Sequence, residues 1–457
     1  MLIAPGGLRL DLPMKPSTAA PLLPALLLLV SGCTVLPSAA EKQARTDSTH
    51  LGEVLHAVDQ PAPAPGAPLA DYVRFAVLRH PQVLAAYSDW RANVLAIAPT
   101  RALPDPKITF EADVTDTLMT FMPGLMFDFM TPGKRRAMAD EMTAASTVSY
   151  RNYVATVLRT AADVRKAWVE LAFAQEALKL RRDSLRALAQ SQELAQIDYT
   201  TGRGMGTLSE SVRLNNDLAK VRSDLAVLED RQRAARTRFK SSLGLKITDN
   251  DPAWPEGALI ATILPDENEL WRRTSAANAG LAQMRAMVDM ARASIEVAKK
   301  AKTPDFAVGA MADLKADPLM VRPTASVTLP IWREKIAANI AAAEARREAN
   351  VARVSAEEIN LAAELAQMLY MVREADQMIR YIERTALPGY ERVIATAEAA
   401  YQSGMGSPAM IPESRLMALN MRIERLSALR ERELAVTDLL LMTADIAPAG
   451  SPLAPKS

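Results

Sequence analysis

Tyr199-Thr-Thr-Gly-Arg-Gly-Met-Gly206 lies within a stretch, Gly133 to Asp251, that holds no proline over 119 residues, in a chain of 457 residues with 29 prolines. Proline removes a helix hydrogen bond and clashes with the preceding turn, so its exclusion permits unbroken helix on both sides of the glycine-rich octapeptide. Pro132 and Pro252 bracket the element. On its N-terminal side Val157, Ala161, Val164, Trp168, Leu171, Leu178, Leu185 and Leu188 recur at spacings of three, four and seven, which makes one apolar stripe on a helix. A stripe kept near seven residues per two turns favours coiled-coil packing. One helix over residues 134–200, at about 1.5 Å per residue, is roughly 100 Å long, beyond the diameter of a compact domain. The octapeptide turns the chain back into a second long helix, so a rod or a tube is expected.

Hydrophobic residues make up 49% of the chain, enough for a sizeable interior. The 54 basic and 53 acidic residues leave a net charge of +1 and alternate along helical segments, the pattern of solvated helix faces and not of a nucleic-acid surface. The single cysteine, Cys33, excludes an internal disulfide and a thiolate metal site. It closes Leu26-Leu-Leu-Leu-Val-Ser-Gly-Cys33, an apolar run preceded by Arg9 and Lys15 and ending in small residues. Residues 1–32 therefore read as a secretory signal, with Met14 an alternative start because Asp11 is out of place in a positive leader. The apolar run is too short to span a bilayer. Val30-Ser-Gly-Cys33 resembles the bacterial lipobox, in which the cysteine is acylated and becomes the mature N-terminus, and Thr34 in place of an aspartate resembles the outer-membrane sorting choice. An ordinary cleaved signal with an incidental cysteine is the alternative. Residues 33–68, with Pro61-Ala-Pro-Ala-Pro-Gly-Ala-Pro68, read as a lipidated N-terminus and a mostly extended tether, with the folded part beginning near Leu69. No later segment has the roughly 18 consecutive apolar residues of a transmembrane helix.

A helical pattern from Ala70 to Arg101 stops at Leu103-Pro-Asp-Pro106. Lys107 to Val114 then alternates, with Ile108, Phe110, Ala112 and Val114 on one face and Lys107, Thr109, Glu111 and Asp113 on the other. Leu125, Phe127 and Phe129 alternate with Met126, Asp128 and Met130, which completes a hairpin. The order then recurs: a helix from Glu267 to Lys302, Pro304-Asp305, a strand with Phe306, Val308, Ala310 and Ala312, and another with Ala325, Val327 and Leu329. A long helical region follows from Arg333 to Ser403, interrupted at Pro388, then the reversal Tyr401-Gln-Ser-Gly-Met-Gly406 and a helix from Glu413 to Met442. Tyr199, Gly202 and Gly204 are matched by Tyr401, Gly404 and Gly406. Two repeats, 69–251 and 266–446, thus precede a tail over 447–457. The strands fall short of the roughly 9–11 residues that cross a bilayer, so their ends are expected to extend into 115–122 and 314–321. Four amphipathic strands leave exposed edges, which self-association into a closed barrel removes; a small soluble sheet capping a coiled coil is the alternative.

Leu103-Pro-Asp-Pro106, Thr131-Pro-Gly-Lys-Arg-Arg136, Leu329-Pro-Ile-Trp-Arg333 and the two Tyr-x-x-Gly turns, duplicated in order behind a lipobox, resemble the outer membrane factor (TolC-type) efflux lipoprotein family, with its heavy-metal branch one option. The resemblance covers essentially the whole mature chain. It implies a mainly α protein with membrane β-strands, in which a homotrimer builds a long periplasmic α-helical barrel and a twelve-stranded outer-membrane β-barrel, four strands per subunit. It further implies a lipid-anchored protein of a Gram-negative outer membrane, extending into the periplasm. Its helical tips, at Tyr199, Gly202, Gly204, Tyr401, Gly404 and Gly406, would dock a periplasmic adaptor and an inner-membrane efflux pump. Acidic residues after the turns line the aperture in that family, which points to Glu210 and Glu413, with Arg203 and Arg415 as partners tying neighbouring tips shut. The turns depart from the pattern by extra residues, Gly206 in the first and Ser407, Pro408 and Pro412 in the second. A periplasmic structural or adaptor coiled-coil lipoprotein without membrane strands is the alternative function.

His50, His56 and His80 lack metal-ligand spacing, and no phosphate loop, nucleophile motif or paired-carboxylate pocket stands out. A passive conduit with no cofactor is expected, its energy supplied by a partner. Of 22 methionines, Met119, Met122, Met126 and Met130 cluster in the first hairpin, with Met138 and Met142 just after. Thioethers suit Cu(I) and Ag(I), yet methionine also fills apolar packing, so metal-ion and organic cargo both stay open. Mass spectrometry of the mature protein is expected to find an acylated N-terminal Cys33; an intact, unlipidated N-terminus upstream of it refutes the lipobox. Cys33→Ser should weaken membrane anchoring without abolishing it if a barrel is a second attachment.

Overall fold

The computed structural model describes residues 35–56, 62–115, 118–201, 208–255, 259, 261–314, 319–403, 405 and 410–447. Its spine is a 70-residue helix, Pro132–Thr201, about 105 Å long at 1.5 Å per residue. In chain order the elements are α1 (Ala39–His56), α2 (Leu69–Arg79), α3 (Pro81–Arg101), β1 (Lys107–Thr115), β2 (Leu118–Phe129), the spine α4 and α5 (Leu208–Ser242). They continue with α6 (Glu267–Ala277), α7 (Ala279–Lys300), β3 (Asp305–Asp313), β4 (Met320–Thr328), α8 (Arg333–Tyr381), α9 (Leu387–Gln402) and α10 (Met410–Met442). A helix pair, a strand pair, a long helix and a return helix therefore occur twice.

The stripe on α4 is the seam of the molecule. Val157, Ala161, Val164 and Leu171 are fully buried, with Leu178 and Leu188 close behind. Trp168 lies edge-on to Tyr72 of α2 and Phe239 of α5, with ring centroids 5.5 and 6.3 Å away. Tyr87, Trp90, Tyr150 and Tyr153 form a second aromatic group between α3 and α4, where burial pushes the Tyr150 phenol up to about 12. Leu270, Leu281, Leu361, Leu365, Val436 and Leu439 make a separate core among α6, α7, α8 and α10.

Three expectations from sequence are corrected. The helices 70–101 and 267–302 are each broken in two, because a capping side chain intervenes. His80 turns to extended backbone and accepts from the Gln82 N–H (3.2 Å) ahead of Pro81, while Asn278 accepts from the Leu281 N–H (3.0 Å). At Pro388 the helix is not interrupted: a π-helical turn, Ile382–Ala386, precedes it and carries the axis past the N–H that proline lacks. The tether is not extended throughout, since α1 packs Leu51 and Leu55 into the main core. The buried Glu41 of α1 meets the guanidinium groups of Arg45 (2.7 Å) and Arg101 (3.2 Å), and the Tyr87 hydroxyl donates to the Ser48 carbonyl (2.8 Å). Among the described residues of the tether, 35–38 and 62–68 keep the non-helical character.

Gly244 ends α5 with φ +77°, a left-handed turn in which the Leu245 N–H donates to the Lys240 carbonyl (3.2 Å). A Cβ there would lie 2.9 Å from the His80 Cα. In the second repeat Ala444, with φ 59°, takes the same role at the end of α10.

Charge joins the two repeats. Glu433 of α10, almost wholly buried, accepts from Arg165 of α4 (3.0 Å), from Arg432 (2.7 Å), and from both the N–H (2.9 Å) and hydroxyl (2.7 Å) of Thr262 in the inter-repeat connection. Arg432 extends the chain of contacts to Asp376 of α8 (2.6 Å). Nearby, the guanidinium carbons of Arg231 and Arg430 each stand 4.7 Å from the Phe173 ring centroid. Glu433→Ala leaves Arg165 without a carboxylate and Arg432 with Asp376 alone, and the loss of a buried charge partner is expected to cost about 3–5 kcal/mol. Leu171→Ala in the seam should cost about 2–5 kcal/mol. Thermal unfolding of the purified variants measures both; a Glu433→Ala midpoint equal to wild type shows that the junction does not stabilise the fold.

Candidate functional site: the amphipathic sheet and the helix tips

The strands form one antiparallel sheet in the order β1-β2-β3-β4, the second hairpin joined to the first through β2 and β3. They are 9, 12, 9 and 9 residues long, with β2 reaching back to Leu118 and β4 to Met320 as their span requires. Opposed residues point to the same face, so the register sorts the side chains. Ile108, Leu125, Ala310 and Pro323 lie in one row; Phe127, Val308 and Ala325 in the next; Phe129, Phe306 and Val327 in the third. Every position on that face is apolar, from Phe110 and Pro123 to Ala312 and Val321. Among the described residues this face stays largely open: Ile108 is 70% exposed, Phe110 62% and Val308 51%. The opposite face carries Lys107, Thr109, Glu111, Met126, Asp128, Ser326 and Thr328, with ion pairs Lys107–Asp128 (2.6 Å) and Arg322–Asp313 (3.3 Å). Of the methionines in the strands, Met122, Met126 and Met311 share this polar side. The close approach of β2 needs Gly309, where a Cβ would sit 2.5 Å from the Leu125 carbonyl oxygen. Among the described residues no helix is long and apolar enough to cross a membrane.

The level where helices give way to strands is held by polar contacts. Lys134 pairs with Asp305 across the two repeats (2.5 Å), and Arg135, 1% exposed, donates to the carbonyls of Met130 (3.3 Å) and Arg101 (3.2 Å). Arg101, the last residue of α3, also donates to the Val35 carbonyl (2.8 Å). The chain therefore approaches this same level two residues after Cys33, which itself lies outside the described residues.

At the other end of the helices stand the reversals. Gly202, Arg203, Gly204, Gly404 and Gly406 lie outside the described residues. Tyr199 and Glu210 fall in the last turn of α4 and the first turn of α5, and their side chains are likewise outside the description. Tyr401, in the last turn of α9, is 50% exposed. Glu413 in the first turn of α10 is bonded to Arg213 of α5, and Arg415 pairs with Glu398 of α9 (2.9 Å). Arg213 and Glu398, neither singled out from sequence, are thus the partners of the two candidate gate residues. Arg213 lies at nearly the same distance past its reversal as Glu413 does past the second. Gln192 and Asn215 bridge α4 and α5 below the first reversal (2.6 Å).

Residues 270–444 match the family model described as outer membrane efflux protein. No curated protein matches the chain by sequence. The fold is similar to the crystal structure of CusC (TM-score 0.68, 17% identity, 84% of this chain and 98% of that one). It is also similar to the outer-membrane channel OprN (TM-score 0.69, 14% identity, 83% and 91%). A further match is the open state of the Neisseria gonorrhoeae MtrE outer membrane channel (TM-score 0.68, 16% identity, 82% and 88%). The resemblance read from the duplicated motifs is borne out, by the family model over the second repeat and by the channels over the fold.

The two faces of the sheet give opposite expectations for added charge. Val308→Arg places a cation on the apolar face and, at about 2–4 kcal/mol for such a residue near a bilayer midplane, should sharply reduce outer-membrane assembly. Ser326→Lys on the polar face should assemble normally. Membrane fractionation and heat-modifiability on gels read both, and equal assembly of the two variants refutes a lipid-facing sheet.

Proposed function

We propose that this chain, which folds as the outer membrane efflux channels do, is one subunit of a homotrimeric exit duct. In it, three sheets close into a twelve-stranded barrel and the long helices form a tube across the periplasm. The observation that carries the reading is the sheet: a face apolar at every register position and uncovered, with β1 and β4 leaving two free edges. Unpaired backbone groups are costly in hydrocarbon, so a strand sheet enters a bilayer only when closed, and three copies supply both the closure and the partners for the edges.

In this reading Cys33 carries the lipid, which the Arg101–Val35 contact favours by bringing the chain to the edge of the sheet. The repeats 69–251 and 266–446 are the two halves of each subunit's wall. The tips, Tyr199, Gly202 and Gly204 with Tyr401, Gly404 and Gly406, dock a periplasmic adaptor, and an inner-membrane pump supplies the energy; the duct is passive and not an enzyme. Its cargo, a metal ion or an organic compound, passes the polar face, where Met126 and Met311 stand with Glu111 and Asp128, a lining suited to cations. Glu413 acts at the aperture as a latch with Arg213, joining the two return helices α5 and α10. Glu210, Arg203 and Arg415 belong to the same constriction.

The reading is tested on protein extracted in detergent from outer membranes: a heat-labile trimer that forms conducting pores in planar bilayers is expected. A soluble species without conductance would favour the adaptor coiled coil. An exposed ion pair contributes about 0.2–1 kcal/mol, and a trimer holds three such latches. Glu413→Ala and Arg213→Ala should each raise conductance or open probability. The exchanged pair Arg213→Glu with Glu413→Arg should return it towards wild type; pores unchanged in all three variants remove the latch.

A further inference from the structure

The near-neutral chain hides a strongly polarised sheet. The four segments where helix and strand meet, 101–107, 130–136, 299–305 and 329–335, contain ten basic and three acidic residues, although the whole chain has a net charge of +1. At the opposite, hairpin end the segments 113–120 and 313–320 contain four acidic residues and one basic. Part of the basic collar is structural, since Lys107, Lys134, Arg101 and Lys299 pair with carboxylates and Arg135 is buried on carbonyls. Arg136, Lys300, Lys302, Arg333 and Lys335 make no ion pair among the described residues. Four of these five are exposed, and Lys300 is half-buried.

Two of the free cations share a built recess. Lys302, two residues past the end of α7, and Arg333, the first residue of α8, line one open groove of about 720 Å³ with Pro330, Ile336, Ile340 and a single carboxylate, Glu344. On the sheet side of those cations the apolar face begins at once with Phe306 and Val327, paired in register and 45% and 50% exposed. Between them stand Leu329, Ile331 and Trp332, all more than 60% exposed, and Trp332 is 71% exposed. An indole beside cations at the rim of an apolar band is the arrangement of a membrane–water interface.

We propose that this rim is a binding site for an anionic glycerophospholipid, its phosphate held between Lys302 and Arg333 and its acyl chains lying over Phe306 and Val327. The proposal rests on the reading that the apolar face of the sheet meets lipid. The occupant follows from chemistry on the page: a phosphate answers the unpaired cations, a chain of methylenes answers the uncovered apolar rows, and one molecule carries both within the distance of the junction. Zwitterionic lipid supplies the second and only a compensated form of the first, so the preference is for net negative headgroups. The collar thereby fixes the depth at which the sheet sits and selects the lipids of the helix-side leaflet.

The test uses the full chain, purified and placed in vesicles of phosphatidylethanolamine alone or mixed with phosphatidylglycerol, with insertion checked by flotation and protease protection. Lipid retained on the extracted oligomer is counted by native mass spectrometry. Wild type should retain phosphatidylglycerol over phosphatidylethanolamine, and the preference should fall in 1 M salt. Lys302→Gln with Arg333→Gln should reduce it by about fivefold for each cation removed, the equivalent of about 1 kcal/mol per charge near a membrane surface. Arg222→Gln, an exposed cation on α5 far from the sheet, should leave it unchanged. An inserted wild-type protein with no phosphatidylglycerol preference, or an equal loss in Arg222→Gln, overturns the proposal. So does a double variant whose oligomer falls apart in lipid-free detergent, which would assign the cations to subunit contact. Failure of wild type to insert in either vesicle overturns the sheet reading itself, and the lipid site with it.

Discussion

A β-sheet of four strands cannot satisfy its own edges. The polar groups of the two outermost strands need partners, and in this molecule the need coincides with a face that water does not favour, since each register row of one side is apolar. The two demands have a common solution in closure among identical copies. The rest of the chain answers to that geometry: its long helices must leave the sheet at one end and in one direction, so the strand–helix junctions carry more specific polar chemistry than either element. Lys134–Asp305, the carbonyl contacts of Arg135 and the Arg101–Val35 bond are all spent within a turn or so of that level.

The helical part is a different problem, because two repeats of nearly the same pattern must recognise each other and not themselves. Apolar stripes alone do not make that distinction; they pack on any similar stripe. The distinction is made by position-specific polar contacts at three heights: Lys134–Asp305 near the sheet, the Glu433 cluster in the middle and Arg213–Glu413 near the tips. Thr262 brings the inter-repeat connection into the middle contact, so the segment that joins the halves is pinned to the face where they meet. A buried carboxylate with four hydrogen-bond contacts from three residues is a poor place for flexibility and a good place for register.

Most of this architecture was legible in the residues. Proline exclusion marked the long helix within a residue or two of Pro132–Thr201, the stripe from Val157 to Leu188 proved to be the seam, and strict alternation separated the two faces of the sheet. What escaped depended on single side chains that no periodicity reports. The breaks at His80 and Asn278 are caps, visible only once a side chain is seen to accept from the next turn. Helix α1 escaped because Leu51 and Leu55 are its only buried large apolar residues among those described, and its stability leans on the buried Glu41 meeting Arg101 from a distant helix. Pro388 looked like a stop, and the π turn ahead of it had no signature beyond the proline itself. Glu413 and Arg415 were singled out through the family resemblance, by their place after a reversal, but their partners Arg213 and Glu398 were not, because pairing across helices is a matter of azimuth and not of spacing.

The contact between Arg101 and Val35 also sets a leash length. Cys33 is two residues from Val35, and two extended residues reach at most about 7 Å. An ordinary lipoprotein tether lets the acylated terminus wander over tens of ångströms before the folded domain begins. Here a lipid on Cys33 could enter the membrane only beside the wall that Arg101 belongs to, with α1 already docked behind it. Acyl chains held so close would act as a peg and not as a mooring line: they would mark where on the bilayer surface the sheet starts and restrict its tilt before any neighbour has arrived.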